Sequence, residues 1–208
     1  KFTHLADAEL KARIEALLAR CGFSSAGLFV MDGSKRSNHG NAYFTGFGRN
    51  KRIVFFDTLL GRLQASEVEA VLAHELGHFK RHHIVKRVAL LFTATLAFLA
   101  ILGQLIDLPG FYTGLGVEAQ NTAMALILFF LIAPAFTFPL SPLTCMLSRR
   151  HEYEADAYAA EQTSAADLAH ALVKLYEDNA ATLTPDPIHS LFYDSHPPAA
   201  LRVARLMP

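Results

Sequence analysis

A chain of 208 residues has room for one good core, or for one domain that carries membrane segments. Hydrophobic residues make up 52% of it and the mean hydropathy is +0.25, high for a soluble domain of ordinary composition. Nineteen basic residues balance nineteen acidic ones, so the overall charge points to no nucleic acid or other polyanionic partner.

Lys1-Phe-Thr-His opens mid-pattern, with neither an initiator Met nor a signal peptide, and reads as the start of a piece of a longer protein. Asp7 to Arg20 has helical period with alternating charge, a surface helix that packs on its Leu/Ile face and ends at Gly22. Gly27 to Met31 is a short strand and Asp32 to Gly40 a polar loop. Asn41 to Phe47 is a second strand, and Gly48 to Lys51 turns hairpin-like into a third, Arg52 to Asp57. The expectation is a small antiparallel sheet. Such a sheet can simply support the next helix, or its edge can hold a substrate backbone by strand addition, as zinc peptidases commonly do. Cys21 and Cys145 show no metal-type spacing and read as reduced thiols.

Val71-Leu-Ala-His-Glu-Leu-Gly-His-Phe79 is the stretch around which the rest is arranged. On a helix, His74 and His78 stand one turn apart on one face, where two neutral imidazoles can grip one metal ion. Glu75 falls beside them, placed to take a proton from a water on that ion; this is the His-Glu-x-x-His pattern of zinc peptidases. A helix that merely carries two histidines is the plainer alternative. Against it, Ser66 and Glu69 form a capping box, and Val68, Val71, Leu72 and Leu76 give a helical apolar stripe.

Lys80-Arg-His-His83 and Lys86-Arg87 follow, and His82 and His83 read as members of a basic, solvated or headgroup-facing collar rather than as extra ligands. Val88 to Ile106 and Ala123 to Leu140 are then nearly unbroken apolar runs, each close to the roughly 20 residues that cross a bilayer. Two buried core helices are the alternative. The connection from Asp107 to Asn121 contains no Lys or Arg, whereas Arg149 and Arg150 follow the second run. The positive-inside rule then puts both outer ends of a hairpin at about 88–140, and the metal motif with them, on the cytoplasmic side.

Ser148 to Tyr158 offers four further candidates: His151, Glu152, Glu154 and Asp156. A catalytic zinc takes three protein ligands and keeps one open position. On a helix Glu152 and Asp156 share a face while Glu154 points elsewhere. Glu152 is therefore assigned to the metal and Asp156 to orienting a ligand histidine, with His151 as the rival third ligand. A helix through Leu168, Leu172 and Leu175, a loop from Ala180 to Ile188, and Phe192-Tyr-Asp-Ser-His-Pro-Pro198 complete the chain. His196 stands on a stiff, extended stretch, where a lone histidine is ordinarily a loop residue.

Together, His74-Glu-Leu-Gly-His78, Glu152-Tyr-Glu-Ala-Asp156 and Ser195-His-Pro-Pro198 with Arg202 resemble membrane-embedded zinc metalloproteases of the CaaX prenyl endopeptidase type, whose core is shared by bacterial heat-shock relatives. Ser37 to Gly46, running into Lys51 to Leu60, is closer to the CaaX type. The resemblance covers nearly the whole chain. It implies an α+β, mainly α fold: one peptidase domain over 1–208 with a zincin-like (gluzincin) core, a small antiparallel sheet and a transmembrane helical hairpin.

It also implies one zinc ion on His74, His78 and Glu152, with Glu75 as general base, Asp156 in support and His196 stabilising the oxyanion. Arg202 is implied near the site on the substrate side, and Asn41 and Ala42 along the substrate edge. The partners implied are a membrane-associated or CaaX-like protein substrate and membrane lipid, at the cytoplasmic face of a bacterial inner membrane or its equivalent. Family members carry several further N-terminal spans that are absent here. Quality control of misfolded membrane proteins is an alternative role. A non-proteolytic zinc scaffold is another, although no fourth ligand closes the site. A site inside lipid is at odds with the charges of Lys80 to His83 and the Glu152/Asp156 carboxylates. Oligomeric state is not indicated.

Overall fold

Among the described residues, four strands form one sheet in the order β1 (Phe2–His4), β2 (Leu28–Met31), β4 (Arg52–Phe56), β3 (Ala42–Thr45). The computed structural model describes residues 2–35, 41–45, 51–178 and 185–207. β3 and β4 pair antiparallel, Ala42 opposite Phe55 and Phe44 opposite Ile53, as a hairpin requires; most of the turn expected between them lies outside the described residues. β2 and β4, however, are parallel, with Leu28 opposite Ile53. The sheet is therefore mixed rather than antiparallel. The connection after β2 skips one position, and the hairpin's second strand folds back into the gap, which makes it parallel to β2. That central place suits β4, whose Ile53, Val54 and Phe55 are all buried. β1, three exposed residues antiparallel to β2, escaped sequence reasoning for want of any alternating pattern.

The helix α1 (Ala8–Arg20) begins where Asp7 accepts the Leu10 N–H at 3.0 Å, and buries Leu10, Ile14, Leu17 and Leu18. Gly22, at φ +66°, turns the chain out of it. After the short α2 (Asp57–Leu60) comes α3 (Ala65–Lys80), the metal-motif helix. Its capping box is Gln64 with Glu67, two residues ahead of the expected Ser66 with Glu69. Tertiary charge pairing decides between them: buried Glu67 takes Lys174 at 2.7 Å through both oxygens, while Glu69 is held by Arg13 and Arg20. α1, the sheet, α3 and α8 (Ala165–Asp178) enclose the main apolar core.

α4 (His83–Ile106) and α6 (Thr122–Thr137) form the hairpin. A 3-10 turn at Phe138–Leu140 absorbs the Pro139 break, and the chain continues into α7 (Ser141–Gln162). Helical structure thus runs unbroken well past the expected end at Leu140. α4 and the continuous helical run Thr122–Gln162 are long and apolar enough to cross a membrane, and the legs are mostly uncovered, with Ile84, Leu91 and Leu131 each about two-thirds exposed or more (67%, 67% and 72%). Within the described residues the two legs are therefore not buried core helices. The expected loop between the legs contains α5 (Pro109–Gly114), whose buried Tyr112 donates to the Ile106 carbonyl at 2.7 Å. The expected loop before Ile188 contains the start of α9 (Pro187–Tyr193), capped by Asp186. α10 (Ala199–Leu206) ends the fold.

Candidate metal centre

α3 supplies His74, Glu75 and His78, and α7 supplies Glu152 and Asp156. The two helices come close because Gly77 faces α7: a Cβ there would stand 3.0 Å from the Ala155 Cα, 3.1 Å from its carbonyl and 3.2 Å from the Tyr158 Cβ. The spacings read from the sequence then close on one point. The Nε2 atoms of His74 and His78 face each other at 3.1 Å. Glu152 places one oxygen 3.6 Å from His74 Nε2 and the other 3.4 Å from His78 Nε2. Donor atoms about 2.0–2.1 Å from one ion at tetrahedral angles stand about 3.3 Å apart, so this donor set fits a single small divalent cation. Among the described residues, these three are the group that could hold a metal.

The outer nitrogens are also held. Asp156 meets His74 Nδ1 at 2.9 Å, the orienting contact assigned to it from the helical spacing. Arg202, only 5% exposed, grips the same carboxylate with both arms of its guanidinium, at 2.8 and 2.6 Å, and sends Nη1 to within 3.4 Å of Glu152. The expected place for Arg202 was on the substrate. Its Nε and Nη2 donate to Asp156, and α10 braces the candidate metal ligands through it. Burial opposes its charge, but the Asp156 hydrogen bond together with the charges of Asp156 and Glu152 outweighs that and holds its pKa above the ordinary value. One guanidinium against two buried carboxylates leaves the pocket a net negative charge, which a divalent cation would compensate. Burial likewise pushes the His78 pKa down, but Glu152 and Glu75 together more than offset it and the net shift is upward. Protons would therefore compete with a metal cation for this nitrogen.

Glu75 is half-buried beside the two ligands, and its charge is felt at His78. His196 is exposed, with Nε2 3.6 Å from Glu152 and Nδ1 3.0 Å from the Ser195 hydroxyl. Tyr176 on α8 holds this segment by donating to the Pro197 carbonyl at 2.9 Å. Ala42 is buried on β3, an edge strand of the sheet, and Asn41 just before it accepts from the Phe56 N–H at 2.9 Å.

His151, the rival ligand, stacks face to face on His83, with ring centroids 4.1 Å apart, and is not one of the converging donors. Glu154 bonds Arg150 and His83. His83 is the chief surprise. It is 4% exposed and lies against His78, not in a solvated collar. What places it there is His82, left-handed at φ 56°, which ends one helix and redirects the next; nothing in the sequence pattern signals that turn.

Residues 4–207 match the profile of Peptidase family M48. The chain is 38% identical over 225 residues to CAAX prenyl protease 1 of Saccharomyces cerevisiae, covering 99% of this chain and 49% of that protein. It is 34% identical over 250 residues to the CAAX prenyl protease 1 homolog of Homo sapiens, covering 99% and 52%. Among solved structures it resembles the crystal structure of S. mikatae Ste24p at a TM-score of 0.89 and 36% identity, over 100% of this chain and 52% of that one. The chain thus spans about half the length of the curated relatives it matches.

Proposed function

The chain belongs to peptidase family M48, and on that premise we propose that it is the metal-binding part of a membrane-inserted zinc endopeptidase acting on CaaX-like, membrane-associated protein substrates. The observation that carries the reading is the convergence of His74 Nε2, His78 Nε2 and the Glu152 carboxylate on one point from two helices. Two imidazoles and one carboxylate with an open side are a donor set of catalytic zinc. A zinc ion there would lower the pKa of a water to about 7 and polarise the scissile carbonyl.

The chain's own residues divide the remaining work. His74, His78 and Glu152 hold the ion, while Asp156, braced by Arg202, fixes the ring of His74. Glu75 accepts a proton from the attacking water and passes it to the leaving amine. His196 stands at the open edge, free to donate to the oxyanion that develops on the substrate carbonyl. β3, with Asn41 and Ala42 at its start, offers an edge on which a substrate backbone can add as a strand.

In this reading 1–208 is a single peptidase domain. The helices α4 and α6 cross the bilayer as a hairpin of about 88–140, and the site lies on the cytoplasmic side. Lys80, Arg81, Lys86, Arg87, Arg149 and Arg150 flank the hairpin's outer ends, while the connection from Asp107 to Asn121 has no Lys or Arg. The test is Glu75→Gln, assayed on a CaaX-like peptide in detergent. The variant is expected to retain zinc and to lose nearly all peptidase activity. Retained activity would refute the role of Glu75.

A further inference from the structure

We propose that His83 is a positioning residue for the metal ligand His78, acting as an imidazole bridge to the Glu154 carboxylate; this rests on the reading of His74, His78 and Glu152 as a metal site. The two ligand histidines are braced differently. His74 meets a carboxylate directly, through Asp156 at 2.9 Å. His78 Nδ1 instead lies 3.0 Å from His83 Nδ1, and His83 Nε2 lies 3.1 Å from Glu154 Oε2.

The contacts leave one consistent set of tautomers. His78 Nε2 must keep its lone pair to bind a metal, so His78 Nδ1 carries the proton and donates it to His83 Nδ1. His83 is then protonated on Nε2 and donates to Glu154, whose other oxygen accepts from Arg150 Nε at 2.9 Å. The chain of donors runs one way, from the metal ligand outward to a carboxylate. Each link raises the electron density on the nitrogen that faces the ion, as a direct carboxylate does.

The packing around His83 supports a built position. Its ring stacks on His151 at 4.1 Å, within 12° of parallel, and it is buried at the foot of an otherwise mostly exposed helix. The left-handed backbone of His82 is what brings it there, a conformation that residues with a Cβ avoid.

The test uses the full chain in detergent, stripped by chelator and reloaded with Zn2+ or Co2+. A wild-type chain that takes up no ion overturns the metal reading and the proposal with it. If the wild type binds, the role of His83 is decided separately. His83→Phe keeps a ring to stack on His151 but has no acceptor, and it should weaken Zn2+ binding about 10–100-fold and change the Co2+ ligand-field spectrum. His83→Asn, whose amide oxygen can stand near the Nδ1 position, should recover most of both. Glu154→Leu leaves the His83 ring in place and removes its acceptor, so a smaller loss in the same direction is expected, and this variant decides the matter should His83→Phe fail to fold. Unchanged affinity and spectrum in Glu154→Leu and in His83→Phe would overturn the proposal. So would His83→Asn behaving like His83→Phe.

Discussion

Gly77→Ala tests the close approach on which the site depends. The added methyl would meet the Ala155 Cα and carbonyl at 3.0 and 3.1 Å, where ordinary contact begins at about 3.4 Å. Those atoms belong to the backbone of α7 and cannot rotate away, so the two helices must part by about 0.3–0.4 Å, the shortfall in that contact. His74 and His78 lie on one side of the gap and Glu152 on the other, so their separations of 3.6 and 3.4 Å should widen by a similar amount. Metal sites hold their ligand distances to within about 0.2 Å. Overpacking of this kind costs about 1–3 kcal/mol, against the roughly 1 kcal/mol that alanine gains over glycine in a helix.

The expected net effect of Gly77→Ala is a loss of up to about 2 kcal/mol, with Zn2+ affinity falling by up to about 30-fold, since each 1.4 kcal/mol is tenfold. Gly103, in α4, is the internal control, because a Cβ there meets nothing within 4 Å. Thermal melting of the full chain in detergent and chelator competition for Zn2+ measure both quantities. If Gly77→Ala melts higher and binds as tightly as wild type, as Gly103→Ala should, the close-packing argument is refuted.

Arg202→Met strands two buried carboxylates and should cost about 3–5 kcal/mol, much of which Arg202→Met with Asp156→Leu should restore; equal melting of the single and double variants would contradict the buried network. The His78 pKa is raised above its ordinary 6.5, so proton competition sets in on the alkaline side of that value. Zn2+ affinity, titrated against chelator from about pH 8 to about pH 5.5, should be level at the alkaline end and then fall about tenfold per pH unit for each proton displaced; a flat profile would exclude imidazole ligands. Tyr176→Phe frees the Pro197 carbonyl and loosens the segment that carries His196. It should lower kcat about 3–10-fold with KM less affected, the size of one hydrogen bond of about 1 kcal/mol, as steady-state kinetics on a CaaX-like peptide will tell.

What could be read from the sequence was local. The four-residue spacings of His74 to His78 and of Glu152 to Asp156 dictate shared helix faces, and the structure keeps both. The apolar runs announced the hairpin, because no partner is needed to recognise a segment long enough to cross lipid. The misplaced features all depend on distant partners. Gln64/Glu67 and Ser66/Glu69 are equally good capping boxes by spacing, and Lys174, Arg13 and Arg20 choose between them. The parallel pairing of β2 with β4 follows from which gap the hairpin enters, a choice no strand pattern carries. Arg202 gives its fork to Asp156, a partner on another helix that no local pattern signals.

His83 shows the same limit most sharply, and it changes what the hairpin is for. An apolar helix that only anchors the chain could begin at any rotation. α4 begins with a buried histidine that touches the candidate ligand His78 on one side and stacks on His151 of α7 on the other. At the far end, Tyr112 donates to the Ile106 carbonyl, where α4 stops, and lies 3.4 Å from the Asn121 carbonyl, where α6 starts. The two legs are therefore pinned at both ends. Each residue of slippage would turn a helical side chain by about 100°. Because Glu152 directly follows the pinned His151, the register of the hairpin sets whether the third donor faces the other two. The apolar legs thus do geometric work at the polar site.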